Sequence, residues 1–258
     1  MIINHKYKFI FIKNVKTAGT TIEFILSKIC YENDIVTPSE ENLKLLYNYQ
    51  LATNYLDPTK PYKNKMNFKN IFLNFKSLLK DILFKKKVIY KPLLEENILY
   101  YNHFPAKDLK KKIEEKIFTE YFKFCVVRDP YNQILSMYYN DVNYHNEKLN
   151  FEDWLKRKGK DGIMRVESFF KSSIGIITEN KNLILDKYIK YENLTDELEK
   201  FFNEKLIKLN AIDELNNFHI KKNKKKIIIK KNELTPRSVA LINEYGKFFF
   251  DTFGYEKQ

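Results

Sequence analysis

The chain has 258 residues, of which 44% are hydrophobic and 16% aromatic, and its formal net charge is +13. This apolar content excludes a generally disordered chain, and the length predicts one domain over residues 1–258. No run approaches the roughly 20 apolar residues of a membrane-spanning helix. Two cysteines, Cys30 and Cys125, and four scattered histidines predict neither a disulfide framework nor a metal site.

The first predicted elements are a buried strand at Phe9–Ile12, a threonine-rich loop at Lys16–Thr21 and a helix at Ile22–Cys30. Such a loop binds anions because free N–H groups at a helix start point at the ligand and the helix dipole favours negative charge. Gly19 is predicted to let the backbone approach the ligand closely. We name Lys16–Thr21 the anion loop; its side-chain donors are Lys16, Thr17, Thr20 and Thr21, with Ala18 between them.

The residue order of the anion loop differs from that of the nucleoside triphosphate loop. That motif reads Gly-x-x-x-x-Gly-Lys-[Ser/Thr], with the lysine after the glycines. Here Lys16 precedes Gly19, and no glycine stands before it. A P-loop-like nucleotide kinase is therefore disfavoured but stays the alternative enzyme. An ordinary strand–turn–helix with threonine caps also fits the pattern.

A basic helical insertion is predicted at about 55–100. Apolar residues recur at helical spacing over Phe68–Phe84, and Lys60–Lys91 holds ten lysines and one aspartate. One interpretation is a helix packed on the core, and the other is peripheral contact of 68–87 with a membrane surface. A second basic segment, Lys221–Lys231, holds seven lysines and no acid. Such segments attract anionic partners, but no nucleic-acid-reading motif accompanies them, so nucleic acid is not expected.

A second strand is predicted at Phe122–Val127, followed by Arg128-Asp129-Pro130 and a helix. Pro130 suits a first helical turn, where its missing N–H would be unpaired anyway. Arg128 stands where a parallel strand ends, the edge at which ligands bind in open α/β sheets. Ser136 lies about two turns along the helix, so both side chains could bind one phosphate. The alternatives are a structural salt bridge for Arg128 and a hydroxyl–backbone bond for Ser136.

Further strands are predicted at about Leu183–Tyr191 and, weakly, at Ile227–Ile229. Strand-like runs thus alternate with helical segments along the chain. This alternation predicts an α/β fold with a parallel sheet covered on both faces. The anion loop and Arg128 would meet at one edge if the first two predicted strands are neighbours.

Two motifs resemble those of sulfotransferases that use 3′-phosphoadenosine 5′-phosphosulfate (PAPS). Lys-Thr-x-Gly-Thr-Thr at Lys16–Thr21 is similar to the family's 5′-phosphosulfate loop, and Arg-Asp-Pro-x5-Ser-x-Tyr-Tyr at Arg128–Tyr139 to its 3′-phosphate motif. Weaker similarities lie at Phe151–Leu155, Ile189–Leu194 and Asp251–Glu256. About 30–110 carries no family motif apart from its end near His103. The resemblance is to the carbohydrate 2-O- and 4-O-sulfotransferase-like branch.

The resemblance implies a sulfotransferase-type fold, P-loop-like and three-layered, with a central parallel sheet flanked by helices. It implies transfer of a sulfuryl group from PAPS to a hydroxyl of a carbohydrate or glycolipid, without a metal. Many members carry a second arginine where this chain has Gln133, which predicts a weaker hold on the 3′-phosphate. The residues implied in PAPS binding are Lys16, Thr17, Ala18, Gly19, Thr20, Thr21, Arg128 and Ser136.

The catalytic residues implied by the resemblance are Lys16 and His103. A cation at the bridging oxygen stabilises the charge of the leaving phosphate, and a base takes the proton of the acceptor hydroxyl. The alternative bases are Asp141, His145, Glu95 and Glu96. A catalytically silent anion- or glycan-binding module on the same scaffold is the alternative that is not an enzyme. Because neither an anchor nor a signal peptide is recognised, we expect a cytoplasmic protein, or a membrane-peripheral one.

Overall fold

The computed structural model of the protein describes residues 1–37, 52–57, 98–144, 148–217 and 229–258. None of the helices in these ranges has both the length and the apolar character needed to cross a bilayer. The strands are β1 (Ile2–Asn4), β2 (Phe9–Ile12), β3 (Ile35–Val36), β4 (Phe122–Val127), β5 (Thr178–Glu179), β6 (Asn182–Leu183) and β7 (Lys187–Lys190). The helices are α1 (Gly19–Ser27), α2 (Ala106–Lys112), α3 (Glu115–Glu120), α4 (Pro130–Tyr144), α5 (Phe151–Lys156), α6 (Arg165–Ile177), α7 (Leu194–Glu204), α8 (Ala211–Asn217), α9 (Pro236–Tyr245) and α10 (Lys247–Phe253), with 3₁₀ turns at Tyr191–Asn193 and Lys231–Glu233.

A mixed five-stranded sheet with the order β3-β1-β2-β4-β7 lies at the centre of the fold. β2, β4 and β7 run parallel to one another, whereas β1 is antiparallel to both β2 and β3. The predicted α/β class is confirmed, and the predicted parallel sheet is found in β2, β4 and β7, whereas β1 makes the sheet as a whole mixed. β1 and β3 are runs of three and two residues, which are too short for a periodic pattern to reveal.

The predicted strands at Phe9–Ile12 and Phe122–Val127 are confirmed at those bounds. The first helix starts at Gly19, three residues before the predicted Ile22, and therefore includes Thr20 and Thr21. The predicted strand Leu183–Tyr191 is divided between two sheets. Asp186, between β6 and β7, exchanges hydrogen bonds with the backbone of Lys123, which fixes the entry of β7 beside β4. Ile229 lies in no strand, and the remainder of Ile227–Ile229 is outside the described residues.

Helices cover both faces of the sheet, as predicted. Successive side chains of a strand point to opposite faces. In β2, Phe9 and Phe11 pack in a cluster with apolar residues of α1 and α7. Ile10 and Ile12 pack in another cluster, with apolar residues of α4, α6 and α10. The central strands are therefore buried on both sides, and their carboxyl ends meet at one edge.

The two ends of the predicted insertion lie side by side. Leu56 and Ile98 form an isolated antiparallel bridge, and the carbonyl of Tyr55 accepts hydrogen bonds from the N–H groups of Leu99 (2.8 Å) and Tyr100 (3.0 Å). Residues 58–97 lie outside the described part of the chain, and with them the predicted helix at Phe68–Phe84 and the membrane contact at 68–87.

Candidate functional site

The candidate site lies at the carboxyl ends of the three parallel strands. The anion loop follows β2, Arg128 follows β4, and Tyr191 follows β7. Because these strands are neighbours in the sheet, the segments that follow them meet at one edge. Ligands of open α/β sheets bind at such an edge. The predicted meeting of the anion loop and Arg128 is therefore observed.

The backbone of the anion loop has an uncommon conformation. Lys16 has φ +57° and Ala18 φ +60°, whereas Thr17 between them has no positive φ. Left-handed residues other than glycine are rare and cost on the order of 1 kcal/mol or more each. Turns of this kind direct successive N–H groups towards one concavity, which suits an anion.

Helix α1 starts at the end of the anion loop, and no side chain caps its first N–H groups. Ala18 is the N-cap residue and provides no side-chain cap, and no acidic residue lies in the first turn. Within the described ranges, we see no acceptor for the N–H groups of Gly19, Thr20 and Thr21. These three donors and the positive end of the helix dipole therefore face the edge of the sheet.

The threonines of the anion loop differ in their surroundings. The Thr17 side chain is fully buried, and its hydroxyl donates to the carbonyl of Asn14 at 3.3 Å. Thr20 and Thr21 are half-buried. Thr17 therefore stabilises the loop from inside, and the hydroxyls nearer to a ligand are those of Thr20 and Thr21.

Gly19 is required by a close approach. A Cβ atom at this position would lie 2.5 Å from Cγ of Lys13, whose side chain crosses directly over it. The ammonium of Lys13 pairs with the Glu23 carboxylate at 2.5 Å, and both side chains are buried. Burial alone would raise the pKa of Glu23, but Lys13 and the amino group of Met1 hold that pKa below its usual value. This ion pair joins the end of β2 to α1 underneath the anion loop.

Arg128 contacts both of its neighbours at the edge. Its Nη1 donates to the carbonyl of Lys16 at 3.3 Å, and its Cζ lies 4.3 Å from the ring centre of Tyr191. Its Nε atom is buried and has no hydrogen-bond partner among the described residues. A buried donor without an acceptor is costly, and an anion at this point would supply the acceptor.

Ser136 is half-buried on α4 and shares a helix face with Asn132, four residues before it. No hydrogen bond between Ser136 and Arg128 is seen in the described structure. The two side chains stand at the start of α4 and about two turns along it. The described structure therefore shows no direct contact that brings Ser136 together with Arg128.

His103 reaches the site from the loop before α2. Its Nδ1 lies 3.0 Å from the carbonyl oxygen of Lys13, so Nδ1 carries the proton and Nε2 keeps its lone pair. Burial, and then the charge of Lys13, lower the pKa of His103 to about 4. The imidazole is therefore neutral at neutral pH. His103 also has a left-handed backbone, with φ +61°.

The alternative bases are placed differently. Oδ2 of Asp141 accepts from Nε1 of Trp154 at 3.1 Å and from Nη2 of Arg165 at 2.7 Å, which ties Asp141 to packing between helices. His145, Glu95 and Glu96 lie outside the described residues.

A charged cluster borders the site beside Arg128. The Asp129 carboxylate accepts from the N–H of Asn132 at 2.9 Å, which caps α4, and pairs with Lys231 at 2.9 Å. Glu192 accepts from the N–H of Asp129 at 3.1 Å and from the hydroxyl of Tyr255 at 3.1 Å. Burial, and then the charge of Glu192, raise the pKa of Tyr255. The end of the basic segment Lys221–Lys231 thus lies against the start of α4.

Sequence reasoning missed a buried polar group beneath the anion loop, formed by Asn14, Gln133 and Ser173. Gln133, which stands where many members of the resembled family carry an arginine, is completely buried and donates to the carbonyl of Val15 at 2.7 Å. Tyr191 was also missed as the partner of Arg128. The sequence carries no local signal for the burial of Gln133, since its face of α4 also holds Ser136 and Asn140. No known protein family, curated protein or solved structure matches the chain.

Proposed function

We propose that the protein is a PAPS-dependent O-sulfotransferase with a sulfotransferase-type, P-loop-like fold, acting on a hydroxyl of a carbohydrate or glycolipid. The observation that carries the proposal is one edge with two separate sets of unsatisfied donors. The N–H groups of Gly19, Thr20 and Thr21 form one set, and Nε of Arg128, after the neighbouring strand, forms the other. Two anion positions on adjacent strand ends suit a nucleotide with phosphates on two sides of its ribose.

The residues present fit PAPS. The anion loop would hold the 5′-phosphosulfate through its backbone N–H groups and the hydroxyls of Thr20 and Thr21. Arg128, held over the ring of Tyr191, would hold the 3′-phosphate together with Ser136. PAPS supplies the sulfuryl group when it is bound.

The chain contributes charge and a proton acceptor to the reaction. Lys16 places a cation on the anion loop, where negative charge develops on the leaving phosphate. Nε2 of His103 can take the proton of the acceptor hydroxyl, because Nδ1 is held by the Lys13 carbonyl. A pKa of about 4 makes the free imidazole a weak base. Binding of a nearby dianion favours the charged form, and we therefore expect the pKa of His103 to rise in the complex.

The kinase alternative gains no support from the carboxylate that follows β4. Asp129 already caps α4 and pairs with Lys231, so both of its oxygens are engaged. The basic segments, with ten lysines in Lys60–Lys91 and seven in Lys221–Lys231, suit an acidic acceptor glycan.

Titration calorimetry tests the nucleotide. Adenosine 3′,5′-bisphosphate should bind more tightly than ATP, adenosine 5′-phosphate or adenosine 3′-phosphate, since only the bisphosphate occupies both anion positions. Preference for ATP would overturn the proposal in favour of a kinase. Incubation with labelled PAPS and a panel of acceptor glycans then tests turnover. Tight bisphosphate binding without transfer to any acceptor would favour the catalytically silent module.

A further inference from the structure

We propose that Gln133 is a positioning residue for the anion loop, which it holds through the Val15 carbonyl and, via Ser173, through Asn14. The ligand named in this inference rests on the function proposed above. The three side chains come from different elements: Asn14 follows β2, Gln133 lies on α4, and Ser173 lies on α6. All three are at most 1% exposed.

The hydrogen bonds of this group form a continuous path. Nε2 of Gln133 donates to the Val15 carbonyl at 2.7 Å and to Oγ of Ser173 at 3.1 Å. The Ser173 hydroxyl donates to Oδ1 of Asn14 at 2.9 Å, and the same Oδ1 accepts from the N–H of Val15 at 2.8 Å. Both sides of Val15 are therefore held by buried side chains.

The geometry of the peptide unit explains how the bond to the Val15 carbonyl orients the N–H of Lys16 in the anion loop. In a trans peptide the C=O and the following N–H point in opposite directions. Because Gln133 draws the Val15 carbonyl inward, the N–H of Lys16 is turned to the other side of that peptide plane. Arg128 acts likewise on the next peptide, since it holds the Lys16 carbonyl and so orients the N–H of Thr17. The left-handed φ of Lys16 lies between these two fixed peptide planes.

The group also contains unsatisfied atoms, which an ordinary packing role would not retain. Nδ2 of Asn14 and Oε1 of Gln133 are buried without a partner among the described residues. Burying them costs free energy that apolar side chains of similar shape would avoid. We infer that the benefit offsetting this cost is the orientation of the anion loop.

The test compares Gln133→Leu and Ser173→Ala with the control Ser238→Ala. Ser238 is also a buried helical serine, but it bonds to Thr235 and touches none of these groups. Calorimetry should show adenosine 3′,5′-bisphosphate binding weakened about tenfold in Gln133→Leu, equivalent to ~1.4 kcal/mol, and roughly threefold in Ser173→Ala. Adenosine 3′-phosphate, which lacks the 5′-phosphate, should bind all variants equally. Equal weakening of both nucleotides, or none, would overturn the inference, and Ser173→Ala decides alone if Gln133→Leu does not fold.

Hydrogen exchange in the ligand-free proteins separates this inference from the proposed function. Peptides that cover residues 13–21 should exchange faster in Gln133→Leu and Ser173→Ala than in the wild type and in Ser238→Ala. Unchanged exchange in both variants would overturn the positioning role even if the wild type binds the bisphosphate. Faster exchange in the two variants, together with a wild type that binds no bisphosphate, would overturn the proposed function and keep the positioning role.

Discussion

Arg128 is held in place by its backbone and ring contacts while one of its donors stays without a partner. We predict that Arg128→Ala weakens binding of adenosine 3′,5′-bisphosphate by the value of a charged hydrogen bond, ~1.5–3 kcal/mol. Binding of adenosine 5′-phosphate should weaken far less, because only the support of the Lys16 carbonyl is lost there. Calorimetry with both nucleotides checks this. An equal loss for both would mean that Arg128 shapes the anion loop through the Lys16 carbonyl and does not bind the 3′-phosphate.

Ala18 adopts a conformation that glycine adopts without strain. With φ +60° and ψ +16°, its Cβ is crowded in the left-handed region. We predict that Ala18→Gly raises the free energy of unfolding by ~0.5–1 kcal/mol, after the greater flexibility of glycine in the unfolded chain is taken into account. Ala106→Gly, at the start of α2, is the control and should lower it. Urea unfolding measures both changes, and a loss of stability in Ala18→Gly would contradict the strain.

The buried His103 should make stability depend on pH. Its pKa is about 4 in the folded protein and 6.5 in an unfolded chain. Between these values the unfolded state binds more protons, so the free energy of unfolding falls as pH falls from 6.5 to 4 and is unaffected by this group above 6.5. His103→Gln should lose less stability over that interval. Urea unfolding at several pH values tests this, and parallel curves for the two proteins would contradict a lowered pKa.

At the scale of elements, Asp129 joins the start of α4 to the basic segment that ends at Lys231. We predict that Asp129→Ala lowers the free energy of unfolding by ~1 kcal/mol or more, because the N-cap of α4 and the ion pair are both lost. Asp129→Asn should keep most of the stability, since asparagine also caps helices. Thermal unfolding compares the two variants. Equal losses would show that the ion pair, and not the cap, stabilises this junction.

The elements that sequence reasoning located are those with a strong local pattern. β2 is a continuous apolar run, β4 is an apolar run interrupted only by Lys123, and both were predicted at the observed bounds. β1 and β3 are defined by pairing across the sheet, which short runs do not reveal. The predicted strand at Leu183–Tyr191 was divided because Asp186 bonds to the neighbouring strand.

The candidate site was predictable to a similar extent. Placing the anion loop and Arg128 at strand ends required only the order of the elements. The burial of Gln133 depends on how α4 and α6 pack against the anion loop, and a single polar residue in the sequence does not indicate that packing. The stacking of Tyr191 on Arg128 depends on β7 lying beside β4. Contacts between elements distant in sequence were therefore the part that the sequence left open.

At the scale of the whole molecule, the excess of positive charge is concentrated in two segments of the sequence. Lys60–Lys91 and Lys221–Lys231 together carry 17 of the 46 lysines and arginines. Acids nearly balance the bases elsewhere, and many of them form ion pairs such as Lys28–Glu214 and Lys187–Glu197. Attraction of an acidic polymer would thus depend on segments that lie mostly outside the described residues, and it would weaken as salt screens it.

The bridge between Leu56 and Ile98 has a consequence for modularity. Because Leu56 and Ile98 are already paired, the residues between them can be deleted and the two ends joined by a tight turn. We predict that replacing 58–97 with a short Asn-Gly turn leaves a folded protein that binds adenosine 3′,5′-bisphosphate with the affinity of the full chain. A shorter connection between Asp57 and Ile98 lowers the entropic cost of bringing its ends together by roughly 2 kcal/mol. Calorimetry measures the binding, and circular dichroism measures the folding. An unfolded product would show that the fold requires residues 58–97.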